Sequence, residues 1–204
     1  IVWVGSDSGL ERFDPRLETF THFTLNPSDT GNYGSNQVWA ICEDKNGVLW
    51  VGGGNGLYKF DRSTGQLLAL RHDSTESGSI SHHSVYAIYE DKEGSLWFGT
   101  GAGVDRLDFH TGKFRHYVPG YRVQSMVEDD AGRLWLGTSE ALLEFNRTEG
   151  TVLAYRLDPQ IPWGGITEIC QDVATGSLWL GTNFGLFSFD RKSKASRCSS
   201  LEPI

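Results

Sequence analysis

The sequence predicts an all-β protein, a β-propeller of four-stranded antiparallel blades. Three observations carry this prediction. An internal repeat is anchored on tryptophan, turn residues recur at fixed offsets, and short β-branched and aromatic runs between the turns show no helical period. The Trp of an "LW" or "VW" pair stands at Trp3, Trp50, Trp97, Trp135 and Trp179, at intervals of 47, 47, 38 and 44 residues. Two residues after each comes Gly5, Gly52, Gly99, Gly137 or Gly181, and eleven after comes Asp14, Asp61, Asp108, Asn146 or Asp190. No copy gains or loses a residue inside that stretch.

Each element of a blade follows in order. "EDKNG", "EDKEG" and "EDDAG" place Asp at the start of a turn and Gly three residues on, as a type I turn with a bulge prefers. "GGGNG", "GTGAG" and "GTNFG" supply a second tight turn, and "FDRSTG" and "LDFHTG" a third. In the second copy the strands are expected near residues 38–43, 48–52, 57–61 and 67–71. Blades that pack face to face bury both faces of each sheet, so "VLWVG" is apolar at successive positions. The recurrent Trp is expected to be core wedged between blades, and Cys42 and Cys170, at matching inner-strand positions, to be small core residues. The copies span approximately 1–25, 36–72, 83–118, 122–157 and 166–201 of a single domain over 1–204, about 4.6 blades at roughly 44 residues each. Ala141 replaces a turn Gly, "QDVATGSLW" carries one extra residue, and "DRKSK" stands where "TG" is expected.

Composition narrows the functions. The 204 residues carry 18 basic and 26 acidic side chains, a net charge of −8, with no Lys/Arg cluster for a nucleic-acid backbone. No apolar run is long enough to span a membrane, so neither nucleic acid nor direct membrane contact is expected. Three Cys make no disulfide framework and have no metal-type spacing. The His82–His83 pair lacks a cluster to complete a metal site, and neither metal nor cofactor is expected. The pairs Glu43–Asp44, Glu90–Asp91 and Glu128–Asp129 resemble catalytic carboxylates, but they recur at one place in the blade, which a turn role explains.

Function is expected where the copies differ. Nearly all length variation lies between the outer strand of one blade and the inner strand of the next. Because antiparallel strands alternate direction, those connections share a rim with the "GGGNG"-type turns. The candidates there are Tyr33, Asn36, Asn55, His82, His83, Tyr121, Arg122, Trp163 and Asn183. Aromatic faces and planar amide or guanidinium groups suit an oligosaccharide, whose C–H faces stack and whose hydroxyls need paired donors and acceptors. No catalytic residue is assigned, and polar turn chemistry alone also accounts for many of these side chains.

"EDKNGVLWVGGGNGLYKFDRSTG" and its copies resemble the two-component regulator propeller repeat, over almost the entire chain. The resemblance implies a seven-bladed ring in the periplasmic sensor region of a hybrid two-component regulator, an inner-membrane protein with a histidine kinase elsewhere, and often a response to carbohydrates. Seven blades need roughly 310 residues. The chain is therefore expected to be part of a larger ring, with remaining blades or another copy covering its open strand edges. The expected role is a non-enzymatic sensor or interaction propeller. The alternatives are a polysaccharide lyase or glycosidase using His82, His83 and Tyr121, or a pure protein–protein scaffold.

Overall fold

The computed structural model describes residues 1–26, 34–156 and 165–198. The described residues form nineteen strands and no helix. They fall into two compact units, Ile1–Tyr117 and Val118–Ile204.

The first unit holds three antiparallel sheets. The first has β1 (Val2–Gly5), β2 (Leu10–Asp14) and β3 (Thr19–Phe23). The second runs β4 (Val38–Glu43), β5 (Leu49–Gly53), β6 (Gly56–Asp61) and β7 (Gln66–Leu70), within a residue of the expected bounds. The third runs β8 (Val85–Glu90), β9 (Leu96–Thr100), β10 (Val104–Leu107) and β11 (Phe114–Tyr117). The second unit holds β12 (Val123–Glu128), β13 (Leu134–Thr138), β14 (Leu142–Asn146) and β15 (Thr151–Tyr155) in one sheet. Its other sheet holds β16 (Ile166–Gln171), β17 (Leu178–Thr182), β18 (Gly185–Asp190) and β19 (Ala195–Cys198). Every sheet is a meander of sequential neighbours, the form of a propeller blade.

Alternation places two cores on the two faces of one sheet. Leu49, Val51, Tyr58 and Phe60 pack with Leu10, Trp3 and Phe23 of the first sheet. Trp50 and Leu57, on the opposite face, pack with Leu96, Phe98, Leu107 and Phe114 of the third. All five residues of β5 are consequently buried. The second unit repeats the interface with Trp135 and Leu142 against Leu178, Leu180, Phe187 and Phe189.

The landmark residues explain themselves at this interface. The indole Nε1–H groups of Trp50, Trp97 and Trp135 donate to the turn carboxylates of Asp44, Asp91 and Asp129 at 2.9, 2.8 and 2.9 Å. The same carboxylates accept backbone N–H groups two and four residues on, from Asn46 and Val48, Glu93 and Ser95, and Ala131 and Arg133. The repeated Asp is thus a turn and core residue. The Gly two residues after Trp3, Trp50 and Trp135 is required by close approach. A Cβ on Gly5, Gly52 or Gly137 would lie 2.6, 2.9 or 2.7 Å from a methyl of Val38, Val85 or Ile166, the first inner-strand residue of the following blade.

Two departures are instructive. Lys194 takes the turn position that Gly65, Gly112 and Gly150 occupy, with φ of 59° against their 69°, 70° and 71°. Its ammonium bonds Glu144 at 2.9 Å and lies over the rings of Trp135 and Tyr155, which offsets part of the left-handed backbone cost. β19 therefore forms without the expected "TG". Cys170 corrects the core expectation. It is exposed because it pairs with Trp179 on the face turned away from β12–β15, whereas Cys42 is half-buried, and burial foremost pushes its thiol pKa up.

Candidate functional site

In the first unit the segments leading into the inner strands lie against the β1–β2, β5–β6 and β9–β10 turns. The Gln37 amide donates to Asp7 of the β1–β2 turn at 3.2 Å, and the Gly54 N–H of the β5–β6 turn donates to the Gln37 carbonyl at 3.3 Å. One blade on, the Gly101 N–H donates to the Ser84 carbonyl at 3.1 Å. The expected rim therefore exists in this unit, built by backbone hydrogen bonds on a rigid sheet.

The candidate side chains divide by what they already do. Asn36 is half-buried, and its Oδ1 accepts the Asn26 N–H at 2.8 Å, closing its own loop. The Asn55 carbonyl accepts the Tyr58 hydroxyl and Arg71 Nη1 at 3.3 and 3.2 Å. His82 is half-buried, its Nδ1 accepts the Ser84 N–H at 2.9 Å, and its ring lies 2.6 Å from where a Gly101 Cβ would sit. His83 is exposed and meets the ring of His72 edge-on at 5.2 Å. Among the described residues no group of three or more His, Cys, Asp or Glu could hold a metal. In the second unit Tyr121 is half-buried, Arg122 is exposed, and Asn183 is exposed in the turn between β17 and β18. Tyr33 and Trp163 lie outside the described residues.

A polar cluster around the buried Asp105 ties one rim segment to its blade. Asp105 on β10 accepts the Ser81 N–H at 2.7 Å and pairs with His116 Nδ1 of β11 at 2.8 Å. His116 Nε2 meets the Ser77 carbonyl at 3.0 Å. Burial foremost raises the Asp105 pKa against these hydrogen bonds. Partial burial pulls His116 down, but the hydrogen bond and charge of Asp105 and the Ser77 carbonyl outweigh it, and the pKa is raised. With an oxygen acceptor on each ring nitrogen, His116 is favoured as imidazolium.

Sequence reasoning missed the inner-strand bulges. Val38 pairs with Gly53 and Ala40 with Gly52, so Trp39 is the extra residue between them. The same register shift makes Tyr86, Gln124 and Thr167 the bulge residues of β8, β12 and β16. A bulge re-aims a side chain that strict alternation would send into a blade face. Trp39 is 41% exposed, and its ring stacks on Tyr86 with centroids 4.7 Å apart and planes 7° from parallel. The missed signal lay beside the β-branched residue that opens each inner strand, where Trp, Tyr, Gln and Thr alternate in one column.

A cleft lined by Gly132, Arg133, Glu144, Arg147 and Glu149 offers less. Arg133 already pairs with Asp129 and Glu144, and Arg147 with Glu128 and the Gly132 carbonyl.

Residues 32–55, 79–102 and 117–140 match the family model described as two component regulator propeller. These three segments are similar to two component regulator propeller repeats. The chain is similar in structure to the extracellular domain of hybrid two component system BT3049 from B. thetaiotaomicron. The TM-score is 0.79 at 21% identity, over 96% of this chain and 28% of that one. The corresponding domain of BT4673 from the same organism gives 0.77 at 20%, over 99% and 26%. A catalytically inactive virginiamycin B lyase from Staphylococcus aureus, with quinupristin, gives 0.72 at 12%, over 96% and 64%. These likenesses show the propeller fold. The chain spans about a quarter of the length of the two hybrid-system domains. No curated protein matches its sequence. Among its described residues no helix is long and apolar enough to cross a membrane.

Proposed function

We propose that this chain is part of an extracytoplasmic sensor propeller in a two-component signalling protein. It recognises an oligosaccharide without turning it over and signals to a histidine kinase elsewhere in the parent protein. The observation that carries the reading is the contrast between a scaffold fixed in every blade and bulge residues that differ in each: Trp39, Tyr86, Gln124 and Thr167. The repeat family and the extracellular domains it resembles support the sensor setting. The test is calorimetric titration of the chain with a panel of oligosaccharides. Saturable binding with the sugar recovered intact is expected. Cleavage of the sugar would favour the enzyme reading, which the lyase likeness keeps in view. A panel without a binder would remove the carbohydrate reading.

The partner reading concerns a blade face as well as strand edges. Val2, Val4, Phe13 and Phe20 share a face of the first sheet through the pairs Val2–Phe13 and Phe13–Phe20. Counted from the landmark Trp, they stand where Leu96, Phe98, Leu107 and Phe114 receive Trp50 and Leu57. The partner that fits this face is another blade of the same repeat, presenting a Trp and a Leu.

A further inference from the structure

We infer that Trp39, braced by Tyr86, is a stacking subsite for the C–H face of one neutral sugar ring, an inference that rests on the ligand-sensing reading above. The scaffold does not require aromatics at these positions. The same bulge in β12 and β16 carries Gln124 and Thr167 with unchanged pairing on either side. The bulge itself therefore does not require an indole at 39 or a phenol at 86, and Trp39 is exposed while Trp50, Trp97 and Trp135 are buried.

The geometry suits a rigid platform. Tyr86 covers one face of the indole in a near-parallel stack at 4.7 Å. The indole edge reaches to 3.4 Å from where a Cβ on Gly54 would sit, so a larger residue in that turn would meet the ring. A ring braced on one face loses less freedom on binding, which favours affinity. Trp39 is 41% exposed, and the face of an indole is about the size of one pyranose.

The surroundings choose the ligand class. Gln37, two residues before the indole, holds its side-chain amide on the Asp7 carboxylate. That pair offers acceptors and a donor to hydroxyl groups, and the carboxylate disfavours an anionic ligand. A single aromatic pair is far smaller than the roughly 800 Å² per partner of a stable protein interface. A flat aromatic molecule shares the stacking chemistry but brings no hydroxyls for Gln37 and Asp7.

The experiment titrates the chain, and its Trp39→Ala, Trp39→Phe and Tyr86→Ala variants, by calorimetry. The probes are neutral cello-, xylo-, malto- and manno-oligosaccharides, oligogalacturonate as the anionic arm, and indole as the aromatic arm. Urea unfolding of each variant checks the fold. The expected result is that a neutral sugar binds, Trp39→Ala weakens it tenfold or more, Tyr86→Ala weakens it by a smaller factor, and Trp39→Phe retains most affinity. If a sugar binds wild type and Trp39→Ala equally, the subsite is overturned and the sensor reading stands. If only oligogalacturonate or indole binds, the neutral-sugar class is overturned. If no probe binds wild type, the subsite and the oligosaccharide reading fall together. Should Trp39→Ala unfold, Trp39→Phe and Tyr86→Ala decide: full affinity in Tyr86→Ala would overturn the brace.

Discussion

Asp129 shows what the repeated turn carboxylate does and how much it depends on its partners. It is buried, and besides the indole of Trp135 it takes Arg191 Nη1 at 2.6 Å and Arg133 Nε at 3.0 Å. Arg191 also bonds Asp130 and the Gly176 carbonyl, so one guanidinium locks two turns of neighbouring blades. Burial alone would raise the Asp129 pKa, but Trp135, the Arg133 backbone and Arg191 outweigh it and lower it to about 2. A carboxyl whose folded pKa is depressed contributes stability above its ordinary value near 3.8, and that contribution is lost as pH falls toward about 2. Arg191→Ala removes the most buried cation of the cluster, and breaking a buried pair costs about 3–5 kcal/mol. The expected outcome is a lower urea midpoint at neutral pH, and a smaller further loss than wild type between about pH 5 and pH 2. Parallel loss of stability in both proteins across that window would show that Arg191 does not set the Asp129 pKa.

At the scale of elements, the strands were legible because a fixed offset from Trp to Gly to Asp leaves room for only one arrangement of turns. The bulges were not. A bulge is a two-against-one pairing, and a single strand's text does not say which residue its partner skips. In the sequence Trp39 therefore reads as part of an apolar strand, and the polar loop residues stand out instead. Of those, Asn36 and His82 proved partly committed to their own loops, as polar loop residues often are. The segment before β8 shows the same commitment on a larger scale. His116 and Asp105 hold Ser77 and Ser81, and so fasten this rim segment to β10 and β11. A histidine with a raised folded pKa stabilises fully below the ordinary imidazole value of 6.5, and the contribution fades as pH rises through the raised value. Amide exchange at Ser77 to Ser81, corrected for the intrinsic pH dependence, should therefore accelerate as pH rises through that value. His116→Gln should exchange fast at both ends of the range. A wild-type segment equally protected throughout would mean that His116 does not fasten it.

On the scale of the whole molecule, repeat position and environment separate at the first sheet. Phe20 and Phe114 both stand seventeen residues after a landmark Trp and both pair across their hairpin, with Phe13 and Leu107. Phe114 is 7% exposed inside the interface with Trp50 and Leu57, whereas Phe20 is 64% exposed and touches Phe13 at 4.7 Å. Identical blade chemistry with opposite burial gives a matched pair of substitutions. Phe114→Glu places a charge in a core and removes a large aromatic, which should cost about 3–5 kcal/mol or prevent folding. Phe20→Glu should leave the urea midpoint within about 0.5 kcal/mol of wild type, as surface changes do. If the open face takes another blade of this repeat, the chain should associate in a concentration-dependent way by sedimentation velocity, through the Val2, Val4 and Phe20 surface, and Phe20→Glu should abolish that association. A wild-type chain that remains monomeric at high concentration, or a Phe20→Glu variant that associates unchanged, would show that this face does not receive a blade from a second copy.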